Sequence, residues 1–250
     1  MALTAVAVLL IAAGGGFLYL YASNSPAAQV ASELTRSSAA PSRAPIPRVT
    51  GPLAGPSHPA RPSGATCTYS PADPGSGDTR VVDPPPSTAA VGGHVTVNIK
   101  TALGVLTLQL LADRAPCTVN SFVHLAQQDY YTDTECHRLT TDGLFVLQCG
   151  DPSGTGTGTP GYQFGDENLP TVSPPYPRGT VAMANAGPGT NGGQFFLVYK
   201  NSDIPPDYPV FGTVVSGMDL LDRIAAGGTD NGTVDGHPKL AVHIDEVTVG

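Results

Sequence analysis

"TVAMANAGPGTNGGQFFLVY", residues 180–199, is the stretch on which the reading of this chain turns. Val181, Ala182, Met183 and Ala184 read as one buried strand, and Phe195, Phe196, Leu197 and Val198 as another. Asn185 and Gln194 stand at the inner margins of these apolar runs, and the connection between them carries Gly187, Gly189, Gly192 and Gly193. Amide side chains beside a core cost free energy unless they are hydrogen-bonded. The stretch therefore predicts a sheet opening into a loop, with polar groups that must hold something.

Outward from it, the same period-2 signal recurs. "HVTVNIKT" places Val95, Val97 and Ile99 on one face, and "VLTLQLL" (105–111) follows Gly104, so the two read as a hairpin. Further strands are expected at "CHRLTT" (136–141), "LFVLQCG" (144–150), "TVAMANA" (180–186), "QFFLVYK" (194–200), "PVFGTVV" (209–215) and "LAVHIDEVTV" (240–249). Two segments change period. Val119, Phe122, Val123 and Ala126 recur at helical spacing behind Pro116, which suits a first helical turn. In "GMDLLDRIAAG" (217–227), Leu220, Leu221, Ile224 and Ala225 face inward, with Gly227 as the expected C-cap. Eight short strands and two helices predict a mainly β fold, a closed eight-stranded antiparallel β-barrel capped by two α-helices over residues 94–250.

The N-terminal part is of a different kind. Ala2 to Ala22 carry no charge, and at about 1.5 Å per residue a helix of that length spans a bilayer core of roughly 30 Å. A transmembrane anchor over 1–23 is the expectation, and a cleaved secretory signal is the rival. The basic n-region and a clean A-x-A cleavage site are both missing. Residues 24–64, rich in Pro, Ala and Ser with no sustained apolar period, read as a linker, and 65–93 as an N-terminal extension that contains Cys67. The expected location is therefore membrane-anchored with the working domain extracytoplasmic, or secreted. Cys67, Cys117, Cys136 and Cys149 lack the close pairs of zinc sites, and their even count fits disulfides in an oxidising compartment, with all three pairings open. A net charge of −8 with 12 Lys plus Arg argues against nucleic-acid binding.

Several chemistries can be set aside. In "GTGTGTPG", Gly156, Gly158 and Gly161 fit G-x-G-x-x-G, but no helical period follows to receive a pyrophosphate. No G-x-S-x-G is present, and the adjacent Asp166 and Glu167 do not converge as an acid–base pair. His124 and His137 read as structural. What remains is Arg138 on one strand, Gln148 on the next where a hairpin sets the two opposite each other, and Asn185 and Gln194 at the loop, with Phe145, Val146 and Phe196 among them. One cation, three amides and an apolar floor, with no nucleophile or base, suit holding a peptide better than cleaving it.

The segments "CHRLTTDGLFVLQCGDPSGTGTG", "FGDEN", "GTVAMANAGPGTNGGQFF" and "YPVFGTVVSGMDLLDRI", in that order, resemble a cyclophilin-type peptidyl-prolyl cis–trans isomerase over residues 94–250. The resemblance implies the barrel fold, with X-Pro-containing peptides and unfolded protein segments as partners; no metal or cofactor is expected. It implies Arg138 as the catalytic arginine and a substrate surface of Phe145, Val146, Gln148, Ala184, Asn185, Gln194 and Phe196, with Val146 where methionine is usual. After "QFF" the chain departs from the family's well-known members. Asp203 stands where they carry a tryptophan, Ile204 where they carry a leucine, and Tyr208 where they carry a histidine. That tryptophan contributes to cyclosporin binding, so the resemblance implies weakened inhibition. Two other functions fit the same surface: a binding module for Pro-containing peptides, or a chaperone for exported chains.

Overall fold

The computed structural model describes residues 64–72, 80–90 and 92–250. The expected membrane segment at 1–23 and nearly all of the linker lie outside the described residues. Among the described residues, no helix is long and apolar enough to cross a membrane.

The β2–β3 hairpin seeds the sheet. β2 (His94–Thr101) alternates exposed and buried residues, and β3 (Gly104–Leu111) matches it, so Val95, Val97 and Ile99 lie opposite Leu110, Leu108 and Leu106. Each pair is apolar on one face, which fixes the register because a one-residue slip would turn every leucine to water. The other strands are β4 (Thr134–Glu135), β5 (Arg138–Thr140), β6 (Val146–Cys149), β8 (Thr180–Met183), β9 (Phe195–Val198), β10 (Val210–Ser216), β11 (Asp235–Gly236) and β12 (His243–Val249). With β2 and β3 they form one sheet in the order β11-β5-β6-β9-β8-β10-β3-β2-β12-β4, with neighbouring strands antiparallel. β1 (Tyr69–Pro71) and β7 (Tyr162–Phe164) form a separate pair.

The strand count corrects the expectation. All eight expected strands are present, and two two-residue ladders, β4 and β11, raise the sheet to ten. They carry too few residues to show a period. No ladder among the described residues joins the terminal strands β11 and β4. Yet β4 ends at Glu135 and β5 begins at Arg138, so only Cys136 and His137 separate the last strand of the order from the second. The sheet must therefore curl on itself.

α1 (Pro116–Gln127) buries Val119, Phe122, Val123 and Ala126 as its period predicts. Phe122 sits at the aromatic heart of the core, 4.9 Å from Tyr131 and 5.3 Å from both Phe195 and Phe211. Its N-cap residue, Ala115, offers no side-chain acceptor. Glu167 supplies one from a distant loop, accepting from the Cys117 and Thr118 N–H groups at 2.9 Å. Negative charge there also suits the helix dipole. α2 (Met218–Gly227) starts at Gly217, whose φ of +91° and closeness to the Val105 carbonyl leave no room for a side chain. It ends one residue later than expected: Gly227 is helical, and the cap is Gly228 at φ +70°.

Both disulfides are internal. Cys67 pairs with Cys117, tying the N-terminal extension to α1, and Cys136 pairs with Cys149, tying the approach to β5 to the end of β6.

Candidate active site

Register builds the site. Arg138 pairs with Gln148, Gln148 with Phe196, and Phe196 with Ala182, so four adjacent strands present Arg138, Gln148, Phe196 and Ala182 as one row on one face. One residue along, Leu139, Leu147, Leu197 and Val181 form the next row on the opposite face, and all four are buried in the main core. Phe196 and Ala182 of the outward row join Val146, Tyr176 and Val198 in a second apolar cluster. Leu144, Ala184, Ile204, Tyr208 and Val210 pack around it. Phe196 meets the rings of Tyr208 and Tyr176 edge-on at 5.6 and 5.9 Å.

Above this floor lies a cleft of about 90 Å³ lined by Arg138, Leu144, Val146, Gln148, Ala184, Asn185, Phe196, Ile204 and Tyr208. Eight of the ten expected site residues are therefore together. Phe145 is a correction. It faces the other way, with its ring 6.0 Å from that of Tyr199 and the Lys200 ammonium 4.1 Å from its centre. Leu144 takes its place in the cleft. The signal was available, because Leu144 shares the parity of Val146 and Gln148 and Phe145 does not.

Gln194 is also placed elsewhere, in a neighbouring cleft of about 370 Å³ that shares Ala184 and Asn185 with the first. Its lining among the described residues is uncharged and includes Ala72, the 156–159 loop, Gln163 and Thr190.

The amides answer to one another. Arg138 Nη1 donates to Gln148 Oε1 at 3.1 Å, and Gln148 Nε2 donates to Gln194 Oε1 at 2.9 Å. Gln194 Nε2 in turn reaches the Gly156 and Gly158 carbonyls, each at 3.0 Å. The Asn185 side chain is committed too, to Asn191, to the Asp207 carbonyl and to the Gly187 N–H. These amides thus hold the protein's own loops. Neither the main-chain N–H nor the C=O of Asn185 has a hydrogen-bond partner among the described residues, and the residue lines both clefts.

The glycine loop is rigidly nested. Buried Asp151 accepts from the Ser153 hydroxyl at 2.7 Å and from the Ser153, Gly156 and Gly158 N–H groups at 2.7, 2.6 and 3.1 Å, and these hydrogen bonds, the hydroxyl's first, outweigh its burial to hold its carboxyl below the usual range. A side chain on Gly158 would overlap Asp151 Oδ1. Asp166 and Glu167 diverge, Asp166 accepting from Asn191 while Glu167 caps α1.

Electrostatics at the arginine involve a residue that the sequence did not single out. Asp235, on β11, accepts from Arg138 Nε at 2.8 Å and Nη2 at 2.7 Å. The bond to Asp235 raises the arginine's pKa and lowers that of the aspartate. His137, beside Arg138, is buried with both ring nitrogens unpartnered among the described residues, and burial pushes its pKa down.

Residues 95–249 match the family described as cyclophilin type peptidyl-prolyl cis-trans isomerase/CLD. The chain is 46% identical over 215 residues to the probable peptidyl-prolyl cis-trans isomerase B of Mycobacterium tuberculosis, covering 79% of this chain and 68% of the relative. Against the peptidyl-prolyl cis-trans isomerase-like 1 of Mus musculus it is 38% identical over 139 residues, 54% of this chain and 82% of that one. A crystal structure of a cyclophilin-type isomerase from Cryptosporidium parvum superposes with a TM-score of 0.56 at 29% identity, covering 63% of this chain and 98% of the other. The same protein solved in the presence of the dipeptide ala-pro gives a TM-score of 0.55 at 30% identity, covering 62% and 98%.

Proposed function

The chain belongs to the cyclophilin-type peptidyl-prolyl cis-trans isomerases, and on that premise we propose that Arg138 accelerates X-Pro rotation in peptide segments bound across the small cleft. Rotation about a peptide bond meets a barrier of about 18–20 kcal/mol from amide resonance. The two X-Pro isomers differ by only about 0.5–1 kcal/mol, so a catalyst has only the barrier to lower. No bond is made or broken, so the reaction calls for no nucleophile.

In the twisted state the prolyl nitrogen becomes pyramidal and gains a lone pair. A guanidinium N–H at the cleft can donate to that lone pair, and the planar ground state offers no equivalent acceptor, so the interaction favours the transition state. Val146, Phe196, Leu144 and Ile204 supply the apolar bed for the proline ring and keep water from the nitrogen. The open Asn185 main-chain groups hold the flanking residue while the remainder turns. The carrying observation is a cation held at the rim of an apolar cleft, with two of its five N–H groups uncommitted among the described residues.

The clients in this proposal are exported chains still folding. The apolar stretch 1–23 holds the domain on the outer side of a membrane, or directs its secretion. Asp203 in place of the family's tryptophan weakens cyclosporin inhibition.

The test is the isomerisation rate of an X-Pro reporter peptide with the full chain, as wild type and as Arg138→Ala. Removal of the guanidinium lowers kcat/KM by about 10²–10³-fold while the circular dichroism spectrum stays native. Folded wild type with no acceleration would leave a peptide-binding module in place of an enzyme. Protease treatment of intact producing cells tests the location: digestion of the domain from outside is expected, and full protection refutes it.

A further inference from the structure

We propose that Asp235 is a positioning residue for catalysis, holding the Arg138 guanidinium so that its free N–H groups point into the cleft; this rests on the isomerase reading above.

The sheet order places β5 between β11 and β6, so Arg138 has a neighbouring strand on each side. Gln148 reaches it from β6, directly opposite in register. Asp235 reaches it from β11, where it pairs with Thr140, two residues along and on the same face as Arg138. That diagonal offset is within reach of a long side chain. The carboxylate takes the edge formed by Nε and Nη2 in a bidentate pair, at 2.8 and 2.7 Å. Bidentate pairing fixes the guanidinium plane as well as its distance.

Asp235 is itself held. Its strand is laddered to β5, the preceding Val234 carbonyl accepts from the Thr141 N–H at 2.9 Å, and its own carbonyl accepts from the Thr233 hydroxyl at 2.6 Å. Arg138 would otherwise have a flexible four-bond stem reaching into a cleft where, among the described residues, its one further hydrogen bond is to a glutamine oxygen. Both partners are substantially exposed, at 39% for the arginine and 50% for the aspartate. An ion pair that exposed adds little to folding stability, so its consequence is orientation. The committed donors lie toward β11 and β6, which leaves one N–H on Nη1 and one on Nη2 for a substrate.

The experiment compares the full chain as wild type, Asp235→Ala, Asp235→Asn and Asp235→Glu. The reading is kcat and KM for an X-Pro peptide by exchange NMR, together with the Arg138 Nε–H resonance, assigned by its loss in Arg138→Lys. A misplaced catalytic group reduces turnover more than binding. Asp235→Ala therefore lowers kcat by about 3- to 10-fold with KM within about twofold, and its Nε–H exchanges faster with solvent. Asp235→Asn, which keeps the shape and one acceptor, falls between, and Asp235→Glu recovers most of the loss. An unchanged or raised kcat in Asp235→Ala overturns the proposal, and a raised one would show that the carboxylate restrains the arginine. Should Arg138→Ala keep wild-type turnover, the isomerase site has been misassigned, and the Nε–H resonance still reports whether Asp235 holds the side chain. Native circular dichroism and an unchanged melting temperature are the fold controls.

Discussion

Leu139–Leu147–Leu197–Val181 and Arg138–Gln148–Phe196–Ala182 are adjacent rows of the same four strands, one residue out of step, and they have opposite fates. The first fills the interior against the helices. The second builds a surface with a cation at one end, an amide beside it and an aromatic floor. Both rows bury most of their apolar side chains, but only the outward row opens on a cleft. The difference teaches that this sheet separates stability from chemistry by parity alone. A strand with both faces covered can give one face to the core and the other to a ligand.

The sharpest way to break the comparison is Phe196→Ala. It removes the floor of the cleft and most of the second cluster's aromatic contact, so a stability loss of about 3 kcal/mol accompanies a drop in kcat/KM of at least about tenfold. Urea unfolding and peptide assays read the two effects. A rate within twofold of wild type in the folded variant would remove Phe196 from the site. Leu197→Ala is the matched control in the inner row. It costs about 2–5 kcal/mol, yet kcat/KM per folded molecule stays within about twofold; a selective rate loss there would mean that the rows are not independent.

Replacing Cys136 and Cys149 together by serine tests what joins the rows. The bridge closes a loop of sequence separation 13, so its loss costs about 3 kcal/mol. Because Arg138 and Gln148 stay paired by the ladder, turnover of the folded fraction is retained. Denaturation midpoints of the double-serine variant and the wild type, both without reductant so that Cys67–Cys117 stays closed, give the cost of this bridge alone.

The smallest effect is on pH. Burial depresses the His137 pKa below its usual 6.5, so the unfolded chain binds its proton first. Stability is then complete above about pH 6.5 and declines as pH falls from there toward the folded value. Asp151, whose pKa is depressed below 3.8 by the Ser153 hydroxyl and the N–H groups around it, adds a second decline of the same sign at lower pH. Thermal melts between pH 7 and 5 should show the first decline in wild type and not in His137→Gln. A flat wild-type profile would mean that the imidazole is hydrated and titrates normally.

The sequence-level reading reached the eight main strands, both helices and the cation–amide–apolar surface, because each rests on a local period. It missed β1, β4, β7 and β11, whose two or three residues apiece carry no period, and it ended α2 one residue early, since both Gly227 and Gly228 can cap. It also took the amides for substrate contacts, where the structure has Gln148, Gln194 and the Asn185 side chain bonded within the protein. An amide's partner cannot be read from its own neighbours in sequence.

By itself, then, the sequence determined the faces: alternation along "HVTVNIKT" and "LFVLQCG" and the helical spacing behind Pro116 dictate which side of each element seeks apolar company, since burial acts on every side chain where it stands. Only the tertiary structure decided the encounters. It chose Cys67–Cys117 and Cys136–Cys149 among three pairings, set Leu144 in the cleft in place of Phe145, and brought Asp235 across 97 positions to Arg138. Those are matters of distance in the folded chain, fixed by strand order and register, and no local pattern encodes them.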